Sequence, residues 1–199
     1  MTSSSPISDP DPSELSDGSG LHVSGKPIEI TLSEAELAAH IDALAARLAP
    51  HLGEGDWTIV SSLIGAMPFT TDLMKALARR ALNPMLDVLW LESYKDAETS
   101  SGRVTVRADL SRPIQGRSVL ILDDVYDTGR TLDFARAHIL AKGAKQAMTC
   151  ALARKPWAPR GSEGVDECAW DAPGKFLVGY GMDAAGLYRG LPFIGVVEG

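Results

Sequence analysis

Val119-Leu120-Ile121-Leu122-Asp123-Asp124-Val125-Tyr126-Asp127-Thr128-Gly129-Arg130-Thr131-Leu132 decides the fold. A nearly unbroken apolar run, Ser118 to Leu122, is the pattern of a strand buried on both faces of a parallel sheet. Two adjacent carboxylates follow, then a glycine turn and a helix predicted from about Thr131 to Lys142, closed by Gly143. In open α/β sheets ligands bind outside the carboxyl ends of the strands. A helix N-terminus there, with unpaired N–H groups, is a ready phosphate cradle. Asp127 to Thr131 therefore reads as a loop for a sugar 5′-phosphate. Gly129 permits close backbone approach, and Thr128 and Thr131 offer hydroxyls. Asp123 and Asp124 would repel a phosphate but suit vicinal ribose hydroxyls, directly or through Mg²⁺. The bland alternative is a helix capped by Asp127 with the acids solvated.

Outward from this segment, strands and helices alternate, which predicts an α/β sheet with right-handed crossovers. Ser33-Glu34-Ala35-Glu36 forms a capping box. Leu37, Ile41, Leu44, Ala45 and Leu48 recur at helical spacing, so a helix is expected to about His51. Trp57 to Leu63 reads as a buried strand, Ile64-Gly65-Ala66 as a turn, and Thr71 to Ala81 as a helix. Leu86 to Glu92, Met148 to Ala153 and Phe176 to Gly179 read as further strands. Residues 95 to 103 are polar and read as a long mobile loop, with a short strand from Val104 to Arg107 beyond it. Residues 1 to 27 are rich in Ser, Pro, Asp and Gly and read as a disordered acidic tail. The globular domain is expected over 28 to 199.

Composition narrows the function classes. The chain has 199 residues, 45% hydrophobic and 23% charged, as in one globular domain. Its net charge of −7 argues against a nucleic-acid partner, because phosphate neutralisation needs a basic face. No segment approaches the ~18 apolar residues of a membrane span. The N-terminus lacks the basic and apolar regions of a secretory signal. Cys150 and Cys168 lack metal or redox spacing. A cytoplasmic location is the expectation.

The string from Asp123 to Thr131 resembles the phosphoribosyl-diphosphate (PRPP) motif of type I phosphoribosyltransferases. Other segments narrow the resemblance to the hypoxanthine-guanine branch. Ser61-Ser62-Leu63-Ile64-Gly65-Ala66 is similar to its pyrophosphate loop, which often carries a cis peptide at the residues matching Leu63 and Ile64. Leu91-Glu92-Ser93-Tyr94, followed by Ser101-Gly102, resembles its flexible catalytic loop. Lys175-Phe176-Leu177-Val178-Gly179-Tyr180-Gly181-Met182-Asp183, with Tyr188-Arg189-Gly190-Leu191-Pro192-Phe193, resembles its purine-binding segment. Together these cover about residues 28 to 197.

The resemblance implies a mainly parallel twisted sheet flanked by helices, with a small hood made by the C-terminal segment. It implies that Asp123 and Asp124 hold the ribose and its metal, and that Asp127 is the general base near purine N7. Residues 127 to 131 (Asp127, Thr128, Gly129, Arg130 and Thr131) would bind the 5′-phosphate. Ile64, Gly65 and Arg189 would contact pyrophosphate. Lys155 would donate to the purine 6-oxo group, Phe176 would stack on the ring, and Leu177 would offer backbone groups. Ser93 and Tyr94 would belong to the flexible loop, and Asp183 would bind a second Mg²⁺. The family commonly has a basic residue where Ile64 stands, which implies weaker pyrophosphate binding here. The implied reaction moves the phosphoribosyl group of PRPP to N9 of hypoxanthine or guanine, giving a nucleoside 5′-monophosphate. The implied assembly is a homodimer or homotetramer. The rival reading from another class is a nucleotide- or PRPP-sensing regulator of the same fold with weak turnover.

Overall fold

A computed structural model describes residues 22–23, 26–94, 103–161 and 164–197. Strands β1 (His22–Val23) and β2 (Lys26–Leu32) lead into helix α1 (Glu34–Leu52). Then follow β3 (Trp57–Leu63), α2 (Met67–Ala78), β4 (Met85–Tyr94), β5 (Arg103–Ala108), β6 (Ser118–Tyr126) and α3 (Arg130–Ala141). The chain ends with β7 (Gln146–Arg154), β8 (Glu167–Asp171), β9 (Phe176–Val178) and β10 (Ile194–Val197).

The main sheet has the order β5-β4-β3-β6-β7-β8. Its strands pair in parallel except for β4 with β5. From β3 the chain crosses through α2 to β4 on one side; from β6 it crosses through α3 to β7 on the other. The order therefore reverses between β3 and β6, and such a switch point leaves a crevice at the carboxyl ends of the two strands. The turn at Ile64-Gly65-Ala66 and the acid pair both emerge there.

The unbroken apolar run of β6 is explained by the two layers it serves. Leu120 and Leu122 pack with α1 and α2 through Leu44, Leu48, Phe69 and Leu73. Val119 and Ile121 pack with Leu132, Ala135 and Ile139 of α3. Each such side chain, fully buried, contributes about 1.5–3 kcal/mol. The capping box is present in full, with the Ser33 side chain accepting from the Glu36 backbone N–H and Glu36 accepting from the Ser33 N–H at 2.9 Å.

Several boundaries differ from the sequence expectations. α2 begins at Met67, four residues early, because Pro68 occupies the first turn where its missing N–H costs nothing. β6 extends to Tyr126, so Asp123 and Asp124 lie in the strand itself. Gly129, with φ 84°, precedes α3 and no side chain caps it, so Asp127 is not the N-cap. The hood is not made by the C-terminal segment alone. β2 pairs with β10, and β10 with β9, in a sheet of order β1-β2-β10-β9. His22–Val23 and Lys26–Pro27, within the segment read as a tail, pair as β1 with β2; the tail expectation for 1–21 lies outside the described residues. So does the loop over 95–102, although Ser93 and Tyr94 themselves end β4. Among the described residues no helix is long and apolar enough to cross a membrane. Both cysteines are free thiols.

Candidate active site

At the end of β6, Asp123 is buried and Asp124 half-buried. Burial pushes both carboxyls above the ordinary Asp value, and for Asp123 the neighbouring charge of Asp124 pushes further in the same direction. Bonds to the ionised forms oppose this. The Asp124 N–H donates to Asp123 Oδ1 at 3.2 Å, and the Val125 N–H to Asp124 Oδ1 at 2.9 Å. A raised folded-state value means that the folded protein binds a proton more tightly than the unfolded chain. The contribution to stability is thus complete below the ordinary value of 3.8 and is lost as pH rises toward the elevated one. Asp123→Asn is expected to raise the melting temperature at pH 7 and to flatten its pH dependence above pH 4. Calorimetric melts between pH 4 and 8 measure this, and a variant that melts no higher than the parent at pH 7 refutes it.

The turn after β3 lies against this pair. The Leu63–Ile64 peptide is cis, and the Ile64 side chain is exposed. Gly65 is packed so closely on Asp124 that an added Cβ would stand 1.8 Å from Oδ2. In the loop after β6, Asp127, Thr128 and Arg130 are exposed, Thr131 is half-buried and Gly129 is buried.

Lys155 follows β7 and is buried, with its N–H donating to the Tyr126 carbonyl at 2.9 Å. Its ammonium donates to the carbonyls of Pro173, at 3.3 Å, and Lys175. Burial lowers its proton affinity, while the charge of Asp127 opposes the shift. On β9, Phe176 is 55% exposed and Leu177 is buried. Asp183 and Arg189 form a 2.6 Å ion pair; Arg189 also donates to the Gly181 carbonyl at 2.6 Å, and Asp183 accepts from the Gly186 N–H at 2.7 Å.

These elements enclose a cleft of about 420 Å³, a size suited to a small ligand. Of the sequence-predicted residues, Asp124, Asp127, Lys155, Phe176, Leu177 and Asp183 line it. Asp123, Ile64, Gly65, Arg189 and residues 128–131 lie outside its lining. The sequence reading missed Trp157, which lines the cleft and donates its indole N–H to Asp127 Oδ1. Its only sequence signal is its place directly after Lys155-Pro156.

The carboxylate oxygens at the end of β6 are hard donors of the kind Mg²⁺ takes. Among the described residues no three His, Cys, Asp or Glu side chains form a ready-made cage. A metal held by one or two of these carboxylates would take its remaining oxygens from substrate and water.

Residues 31–183 match the model of the phosphoribosyl transferase domain family. The hypoxanthine-guanine phosphoribosyltransferase of Mycobacterium avium is 34% identical over 195 residues, 98% of this chain and 94% of that protein. The bifunctional protein TilS/HprT of Listeria innocua is 35% identical over 170 residues, 85% of this chain. The chain spans only 26% of that longer relative. Among solved structures, a hypoxanthine phosphoribosyltransferase from Staphylococcus aureus superposes with a TM-score of 0.78 at 28% identity, covering 85% of this chain and 91% of that one. Motif, fold and relatives agree, and the chain belongs to the phosphoribosyltransferase domain family and, within it, to the hypoxanthine-guanine phosphoribosyltransferases.

Proposed function

We propose that this chain transfers the 5-phosphoribosyl group of PRPP to N9 of hypoxanthine or guanine and releases pyrophosphate. The observation that carries this is the convergence of Asp127, Lys155 and Phe176 on one cleft beyond the carboxyl ends of β6 and β7. In the reaction the N9–C1 bond forms as the C1–O bond to pyrophosphate breaks, and the bonding pair leaves with the diphosphate. Asp127 takes the proton that the purine loses at N7, as general base. An ammonium has three donors. Two of those on Lys155 are committed to Pro173 and Lys175, which leaves one for a 6-oxo group. Phe176 offers an exposed ring face for stacking.

The N-terminal turn of α3, with Thr128, Gly129, Arg130 and Thr131, receives the 5′-phosphate through backbone N–H groups and hydroxyls. Ile64, Gly65 and Arg189 serve the pyrophosphate, the first two through backbone groups. Asp123 and Asp124 are the side chains that would hold one Mg²⁺ and Asp183 a second, and Mg²⁺ supplies charge neutralisation at the departing diphosphate when bound. Incubation with PRPP, Mg²⁺ and hypoxanthine should yield inosine monophosphate and pyrophosphate, and the absence of both refutes the proposal.

The ammonium of Lys155 favours a carbonyl and disfavours the 6-amino group of adenine. Lys155→Gln is expected to cut kcat/KM for hypoxanthine by roughly 10- to 100-fold, the range of one charge-assisted hydrogen bond, with adenine affected less. An unchanged ratio between the two bases would exclude Lys155 as the reader of the 6-position. The proposal extends to assembly as a homodimer or homotetramer, and light scattering that returns a monomer mass would contradict it.

A further inference from the structure

Trp157 stands between two parts of the cleft that the chain builds separately. It is mounted on a turn closed by the Ala158 N–H to the Lys155 carbonyl at 3.1 Å. Pro156 holds the position of that turn where its fixed φ is favoured. Ala158 is buried, and the Lys155 N–H is tied to the Tyr126 carbonyl, so the base of the turn is fixed to the sheet. From this mount the indole reaches Asp127 with its N–H. On its other side it lies against Gly174, where an added Cβ would stand 2.9 Å from indole Cζ3. The ring therefore fills the space that the missing side chain of Gly174 leaves. The indole is nevertheless 60% exposed, so its placement comes from these two contacts rather than from general burial.

We infer that Trp157 is a positioning residue that fixes the carboxylate plane of Asp127, with Gly174 as the seat that holds the indole in place. The inference rests on Asp127 being the base of the proposed reaction. An indole N–H donates and never accepts, so Trp157 engages Oδ1 without competing for the purine proton. The engaged oxygen sets the rotamer, and Oδ2 is left to meet the base. Without the anchor, an exposed carboxylate at a loop position samples several rotamers, and only some place an oxygen at the purine. Proton transfer demands heavy-atom distances within a few tenths of an ångström, so misplacement lowers the rate of chemistry rather than the affinity for PRPP.

Trp157→Phe keeps an aromatic ring and removes the donor. Gly174→Ala keeps both partners and pushes the ring away. Each variant is expected to slow single-turnover product formation about tenfold, while the Kd for PRPP changes by less than about twofold. Trp157→Phe in an Asp127→Asn background is expected to cost nothing further, because the two act through one group. Melting temperatures of both single variants establish that they are folded, and Gly174→Ala stands as the measurement should Trp157→Phe fold poorly. A single variant that keeps the parent rate overturns the inference, as does a full additional loss in the Asp127→Asn background. If instead Asp127→Asn alone keeps the parent rate, it is the assignment of the base that fails.

Discussion

Asp127→Asn is expected to lower the single-turnover rate of nucleotide formation by about 10²- to 10⁴-fold, the usual contribution of a positioned general base. Asparagine preserves the size of the side chain, and its carbonyl oxygen can still accept the Trp157 N–H that now rests on Asp127 Oδ1. What it loses is the capacity to take a proton. The two acids of β6, the turn at Gly65 and the N-terminal turn of α3 are untouched, so PRPP affinity should be preserved. The effect should fall on the chemical step, visible in rapid-quench experiments as a slow rate with unaltered amplitude. A variant that turns over at the parent rate would show that solvent removes the purine proton. A variant that loses PRPP binding and rate in proportion would place Asp127 in phosphate binding instead.

Gly65→Ala is expected to weaken PRPP binding by roughly 10- to 100-fold, the range of one charge-assisted hydrogen bond lost to the diphosphate. The reason is space. An alanine Cβ at position 65 would lie 1.8 Å from Asp124 Oδ2 and 2.6 Å from its Cγ. The turn cannot retreat, because the hood closes on it from another side: a Cβ on Gly181 would stand 1.9 Å from the Gly65 carbonyl oxygen. Either Asp124 leaves its place at the end of β6, or the turn moves into the segment around Gly181, which Arg189 holds through its carbonyl. Overpacking of this kind also costs about 1–3 kcal/mol of stability. Titration calorimetry with PRPP and a thermal melt read the two effects separately. A variant that binds PRPP like the parent would remove the turn from the pyrophosphate site.

The two substitutions probe different ranges of interaction, and the sequence was legible to different depths for each. Asp127 stands out because its context is local. A strand, an acid pair, a glycine and a helix within fourteen consecutive residues announce a ligand loop, and both β6 and α3 form there, β6 running on past Leu122 to Tyr126. The same holds for α1, whose cap and first turn are written in four adjacent residues. The contact of Gly65 with Asp124 joins residues fifty-nine positions apart, and no local pattern encodes it. Likewise β8, with the sequence Glu-Cys-Ala-Trp-Asp, is a half-exposed edge strand whose mixed polarity gives no clear period.

The amino-acid order by itself determined the alternation of strands and helices, the glycine turn between β6 and α3 and the identity of most groups facing the cleft. These depend on hydrophobic periodicity, turn residues and capping, which act over a few residues along the chain. Only the tertiary structure decided that β2 joins β10 to build the hood from both ends of the domain, and that Gly65 abuts Asp124. It alone brought the Trp157 indole onto Asp127. Such contacts are fixed by the packing of distant layers, where shape and available volume rather than local propensity select the neighbours.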